Sequence, residues 1–139
     1  MTPRGLLVAL STAQLAAGLT GLAVAVRRRR PYDLPFAAGS PQHVVRDSLW
    51  MGTAYSAPLP MLAGQAWAAA TLGRRPDDGA RRVLGMLGAL MVPGYLLERS
   101  GRRHLSVAGA DPVETPVVVG GVALAAAMAV LGHRDASGG

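Results

Sequence analysis

Few side chains in this chain have the types and spacings that catalysis or ligand binding requires. The first candidate group contains four polar or charged residues. It consists of His43, Arg46 and Asp47 in one polar stretch and Glu98 in a later one. His43 and Asp47 are four residues apart, so they would share one face of a helix. An imidazole beside a carboxylate can form an acid–base pair or supply two metal ligands. A metal site needs more ligands than these two, so we predict an exposed interfacial cluster and no bound metal.

A second group lies in and opposite the uncharged stretch 48–73, which is interrupted by Pro58-Leu59-Pro60. A proline has no backbone N–H and its ring clashes with the preceding turn, so carbonyl groups there lose their helical partners. Hydroxyl and amide side chains could bind those carbonyls or a ligand. The ligand pocket predicted at this break consists of Gln14, Thr53, Tyr55, Ser56, Pro58, Pro60 and Gln65.

Other kinds of chemistry are excluded by the composition and by missing motifs. The chain has no cysteine, which removes disulfides, thiolate catalysis and cysteine metal sites. It contains no glycine-rich phosphate loop, nucleophile elbow or histidine-rich metal motif. All 14 basic residues are arginine and the net charge is +6, but no DNA-binding motif accompanies them. We therefore expect no cofactor and no nucleic-acid partner.

The charge pattern places the chain in a membrane. Half of the residues are hydrophobic and only 16% are charged, whereas a soluble domain carries about a quarter. The charges are concentrated between apolar blocks, as a bilayer requires. We predict one membrane domain with spans 5–26, 48–72, 83–98 and 115–132, polar loops 27–47, 73–82 and 99–114, and a disordered tail 133–139.

The predicted fold is all-α, an integral membrane four-helix antiparallel bundle whose second helix is kinked at Pro58/Pro60. Trp50 and Trp67 frame the second span, since 17 residues of helix cover about 25 Å. That length is close to the ~30 Å hydrocarbon layer, whose two surfaces tryptophan prefers. Small residues that would let helices approach closely recur every four positions in two spans. They are Ala13, Ala17, Gly21 and Ala25 in the first, and Gly121, Ala125 and Ala129 in the fourth.

The orientation of the spans is only weakly encoded. With four crossings, one side of the membrane has 8 arginines and the other has 6. The positive-inside rule then favours both termini outside, and the near balance also permits dual topology with antiparallel copies. A re-entrant segment 48–72 is a further alternative, because it would move the arginines of loop 73–82 to the other side.

The function follows from what the spans lack. Away from their ends, none of the four predicted spans has an ionisable residue, which a proton-coupled exporter would need. We predict a non-enzymatic accessory or interaction subunit of a bacterial cell membrane, assembling with itself or with a membrane partner. A bacterial source fits the use of arginine without lysine, isoleucine or asparagine, which is typical of GC-rich genomes. Two alternatives stay open: a small transporter or ligand-binding protein using the Pro58/Pro60 pocket, and a lipid-modifying enzyme using His43, Asp47 and Glu98.

Overall fold

The computed structural model describes residues 1–53 and 55–134, without the side chains of Ser100 and Gly101. Most of this part is helical, with one small β-hairpin that the all-α prediction did not include. Residues 135–139 of the tail for which we predict disorder lie outside the described part. The elements are α1 (Pro3–Arg28), β1 (Asp33–Leu34), β2 (Ala37–Ala38), α2 (Val44–Asp47), α3 (Leu59–Arg74), α4 (Asp78–Leu97), α5 (Arg99–Arg103) and α6 (Glu114–His133), with 3-10 turns at Pro41–His43 and Val107–Gly109.

Three helices, α1, α4 and α6, are long and apolar enough to cross a membrane. They correspond to the first, third and fourth predicted spans. Helix α4 begins earlier than predicted because the Asp77 carboxylate accepts the Ala80 N–H at 2.8 Å and caps it. Most of the predicted loop 73–82 is therefore helical, and only a short connection separates α3 from α4.

The long helices contact one another as sequential antiparallel neighbours. Helix α1 packs against α3 and α6, and α4 packs against the same two helices. Along α4 and α6, Gly85 lies at Gly132 whereas Tyr95 lies at Gly121, so the two chains run in opposite directions. Helices α1 and α3 are likewise antiparallel, because the start of α1 lies near the end of α3.

The prediction of one kinked helix over 48–72 is wrong, because α3 starts at Leu59. Residues 48–53 and 55–58, which we call the non-helical segment, contain no helix, and the Thr53 N–H donates to the Ser56 carbonyl at 3.0 Å. Pro58 precedes α3 and Pro60 lies in its first turn. The first N–H groups of a helix have no intrahelical partner, so proline costs nothing there and favours a helix start.

The two tryptophans consequently do not frame a single helix. Trp50 lies before α3 and is 76% exposed, whereas Trp67 lies midway along α3 and is 58% exposed. The distance of about 25 Å that we calculate from an uninterrupted helix therefore does not apply to them.

Besides its apolar core, the structure buries polar side chains and exposes large apolar ones on its helices. Several polar side chains are at most 1% exposed: Ser11, Gln14, Gln65 and Glu114. Large apolar side chains on the helices are instead 49–59% exposed: Leu19, Trp67, Met86, Leu90 and Val130. An outer surface of this kind suits hydrocarbon, in which interior polar groups must bond to one another.

Small residues mediate the closest helix contacts, as predicted for α6 and only partly for α1. A Cβ on Gly88 would lie 2.6 Å from the Ala125 carbonyl oxygen and 2.7 Å from the Ala129 nitrogen. On α1, Gly21 and Ala25 are buried but Ala13 is exposed. A strict four-residue repeat drifts around a helix of 3.6 residues per turn, which takes Ala13 out of the contact.

The α4–α6 contact can be tested with a pair of glycine-to-alanine substitutions. Gly88→Ala puts a methyl group against backbone atoms of α6, so we expect a loss of about 1–3 kcal/mol in unfolding free energy. The matched control is Gly120→Ala, because a Cβ there meets no atom within 4 Å. It should leave stability unchanged or raise it by up to about 1 kcal/mol. Unfolding by SDS titration, followed by circular dichroism, measures both; equal effects would contradict the contact.

Candidate functional site

The start of α6 is built by a local turn that orients a buried glutamate. One Asp111 carboxylate oxygen accepts the N–H groups of Val113 at 2.9 Å and Glu114 at 2.8 Å. In return, the Thr115 hydroxyl oxygen accepts the Asp111 N–H at 2.8 Å. The backbone hydrogen bonds from Glu114 and Val113, with the charge of Arg28, hold the pKa of Asp111 below its usual value.

Glu114 is the centre of a cluster of charged and polar side chains. Its side chain is 1% exposed, and its Oε1 accepts Arg28 Nη1 at 3.0 Å and Arg30 Nε at 3.4 Å. Its Oε2 accepts the Tyr55 hydroxyl at 2.8 Å. Together with His104 and Asp111, these residues form what we call the Glu114 cluster. Both carboxylate oxygens are thus hydrogen-bonded, as a buried charge requires.

His104 completes the Glu114 cluster. Its Nδ1 lies 2.8 Å from the Gly109 carbonyl oxygen and its Nε2 lies 2.8 Å from Glu114 Oε2. A carbonyl oxygen only accepts, so Nδ1 is the nitrogen that donates to Gly109. The Tyr55 hydroxyl lies 3.3 Å from Nε2, so the imidazole contacts both the carboxylate and the phenol. Glu114 is therefore surrounded by two arginines, a tyrosine and a histidine.

The Glu114 cluster joins segments that are far apart in sequence. Arg28 ends α1, Tyr55 belongs to the non-helical segment, and His104 follows α5, whereas Glu114 begins α6. Just below it, Ala25, Tyr55 and Val118 form a small buried hydrophobic group. A Cβ on Gly21 would overlap the Tyr55 carbonyl, so only glycine at that position lets the segment lie against α1. The arrangement can hold four segments together.

The seven residues predicted to form a pocket at the proline break do not meet in one place. Gln65 Nε2 donates to Gln14 Oε1 and to the Ser11 carbonyl, both at 2.8 Å, in the interior between α1 and α3. Tyr55 belongs to the Glu114 cluster, and Pro60 is exposed. The other three, Thr53, Ser56 and Pro58, line a cavity of about 120 Å³. This cavity lies between the hairpin, residues 51–53 and 56–58, the start of α3 and the second half of α4.

The four residues predicted to form an interfacial cluster are also distributed over different contacts. Arg46 pairs with Asp47 at 3.2 Å within α2, and His43 is exposed in the preceding 3-10 turn. Glu98 is 4% exposed, and both of its carboxylate oxygens accept the Asp33 N–H at 2.9 Å. It also lines the cavity. Within residues 1–53 and 55–134, no group of three or more histidine, aspartate or glutamate side chains could hold a metal ion.

Comparison with known proteins adds no identity. No family model matches the chain, and neither the curated proteins nor the solved structures yield a match.

Sequence reasoning missed the Glu114 cluster, although a signal for it is present. Glu114 directly precedes the uncharged run 115–132, and Arg27 to Arg30 directly follow the first span. With four spans, the end of the first and the start of the fourth lie on the same side of the membrane. A carboxylate at one span end and arginines at the other are therefore candidates for an ion pair. The roles of Tyr55 and His104 depend on contacts that no local pattern encodes.

Removal of the central carboxylate should destabilise the protein strongly. Glu114→Ala removes the shared acceptor of the arginines and leaves the buried Tyr55 hydroxyl without its partner, so we expect a loss of about 1–3 kcal/mol in unfolding free energy. Asp78→Ala is the control, since Asp78 is 72% exposed in its pair with Arg81 and should cost less than about 1 kcal/mol. SDS titration compares them. A Glu114→Ala variant as stable as the control would show that the cluster does not hold the fold.

Proposed function

We propose that this protein is a non-enzymatic accessory or interaction subunit of a cell membrane, in which α1, α3, α4 and α6 cross as an antiparallel four-helix bundle. The observation that carries the proposal is the apolar outer surface of the long helices. Large apolar side chains such as Trp67 and Leu90 are exposed, while polar side chains such as Gln65 and Gln14 bond to each other in the interior. The protein assembles with itself or with another membrane protein.

The use made of the interior polar groups supports a structural role. The Glu114 carboxylate contacts Arg28, Arg30, Tyr55 and His104 through ion pairs and a hydrogen bond, so it serves to join segments of the chain. Helices in lipid gain little from the hydrophobic effect, so close packing of small residues and interior hydrogen bonds must hold them. This chain has both, which favours a rigid membrane scaffold over a catalyst.

A crossing by α3 is the least obvious part of the bundle. Its 16 residues extend about 24 Å, which is shorter than the ~30 Å hydrocarbon layer. It has no charged residue between Leu59 and Gly73, and it follows α1 from Gly18, beside Leu62, to Val8, beside Gly73. A short span is accommodated by local thinning of the bilayer or by flanking arginines that reach the interface. We infer that α3 crosses together with α1.

The crossings can be tested with single cysteines, because the natural chain has none. Ala38→Cys and Val107→Cys should react with a membrane-impermeant maleimide from one side of the membrane. Thr2→Cys and Pro76→Cys should react from the other, since all four positions are exposed. The cysteine-free chain gives the background and detergent-permeabilised vesicles give full labelling.

Two other labelling results would each indicate a different topology. Labelling of Pro76→Cys from the same side as Ala38→Cys would show that α3 is re-entrant and would contradict the four-crossing bundle. Labelling of every position from both sides in equal fractions would show that copies insert in both directions, as dual topology requires.

The accessory role can be separated from the lipid-enzyme alternative by complementation of a deletion strain with a measurable phenotype. A chain with His43→Ala and Asp47→Ala lacks the side chains that an interfacial enzyme would use, and it should restore the phenotype fully. A chain with Gly88→Leu, which disrupts the α4–α6 contact, should not restore it. Loss of complementation by the first chain, at normal protein level, would favour the enzyme.

A further inference from the structure

The cavity beside the non-helical segment has a composition that neither the bundle nor the Glu114 cluster requires. It is lined by β1, by Met51, Thr53 and residues 56–58, by the start of α3 and by the second half of α4. Its volume of about 120 Å³ is several times the ~30 Å³ that one water molecule occupies in the liquid. It is therefore large enough for a small organic molecule.

The charged residues of the cavity wall indicate which sign of charge a ligand would carry. Glu98 lines the cavity, whereas none of the 14 arginines is among the described residues that line it. Arg99, the next residue, is half exposed and lies 4.0 Å from the Asp33 carboxylate. In a chain with a net charge of +6, this wall gives an anionic ligand no cation to pair with. A cationic or neutral ligand fits it better.

The Glu98 carboxylate is also held in a fixed orientation. Both of its oxygens accept the Asp33 N–H at 2.9 Å, so the hairpin fixes it at the wall. The wall therefore presents a carboxylate in a defined position and not a mobile surface side chain.

The remaining wall suits a soft, bulky cation. Two aromatic rings, Tyr32 and Tyr95, line the cavity together with three thioethers, those of Met51, Met61 and Met91. The face of an aromatic ring attracts cations, and aromatic walls are the usual way that proteins recognise quaternary ammonium groups. Methionine is polarisable and adapts its shape to a ligand. The hydroxyl groups of Thr53 and Ser56 could bind a polar substituent.

We propose that this cavity binds a small alkylated ammonium cation, with Glu98 opposite the charge, the tyrosine rings and methionines around the alkyl groups, and Thr53 or Ser56 at a hydroxyl substituent. Binding of a ligand goes beyond the accessory role of the bundle. It would make the membrane protein a receptor or carrier for such cations.

The test compares two ligands of equal shape on the full chain in lipid nanodiscs. Choline carries the ammonium charge, and dimethylbutanol is its neutral carbon isostere. Isothermal titration calorimetry should find that choline binds at least about tenfold more tightly than dimethylbutanol, which is a difference of about 1.4 kcal/mol. Equal affinity, or no binding of choline at millimolar concentrations, would overturn the proposal.

Two variants locate the site. Gly94 lines the cavity, and a Cβ there meets no atom within 4 Å, so Gly94→Leu fills the cavity without a backbone clash. We expect it to weaken choline binding by about tenfold or more. Gly120→Leu is the matched control on α6, also with open space at its Cβ, and should bind choline normally. Normal binding by Gly94→Leu would place the ligand elsewhere and refute the site.

Glu98→Gln tests the charge at nearly constant shape. It should reduce the affinity for choline about tenfold and leave the affinity for dimethylbutanol unchanged. The circular dichroism spectrum of the variant verifies its fold, because Glu98 also anchors the hairpin. If that variant does not fold, Gly94→Leu and the ligand pair still decide the question.

Discussion

The buried carboxylate of Glu114 is the interaction on which one whole end of the molecule depends. Moving an ion out of water costs several kcal/mol, and only well-placed partners recover that cost. Here the partners come from α1, from the segment before α3 and from the loop after α5. None of these can shift without breaking a hydrogen bond or an ion pair to the carboxylate, so a single side chain fixes the relative positions of four segments.

The other parts of the fold are held together by contacts between uncharged groups. In the interior, the Gln65 side-chain amide donates to Gln14 Oε1 and so joins α3 to α1. Between α4 and α6, contact is close enough that Gly85 and Gly132 leave no room for a Cβ on either chain. Interior polar pairs and glycine contacts are the forces that remain when the surrounding solvent is as apolar as the side chains facing it. The Glu114 cluster and the glycine contacts between α4 and α6 therefore stabilise different parts of the fold.

The sequence predicts the long helices well and the segment before α3 poorly. A run without charges, such as 115–132, has few alternatives to helix in an apolar solvent, and α6 extends only one residue further at each end. Composition cannot distinguish a proline that kinks a helix from one that begins it, so Pro58 and Pro60 were assigned to the wrong role. The cavity contains part of both predicted groups, Ser56 and Glu98 among them, because the non-helical segment turns toward α4. That turn depends on Gly21 of α1, a residue far away in sequence.

The exposed apolar side chains have a consequence for how such a sequence can change during evolution. Outward positions such as Met86 and Leu90 need only remain apolar, so their shapes are free to drift among hydrophobic residues. Positions such as Gly88 and Gln65 are fixed both in size and in polarity by a neighbouring helix. Related sequences should therefore vary most at outward-facing apolar positions and least at buried positions occupied by small or polar residues. A sequence comparison that weights hydrophobic similarity would therefore match proteins of similar composition. A comparison that weights the glycines and interior polar residues would match proteins with the same helix contacts.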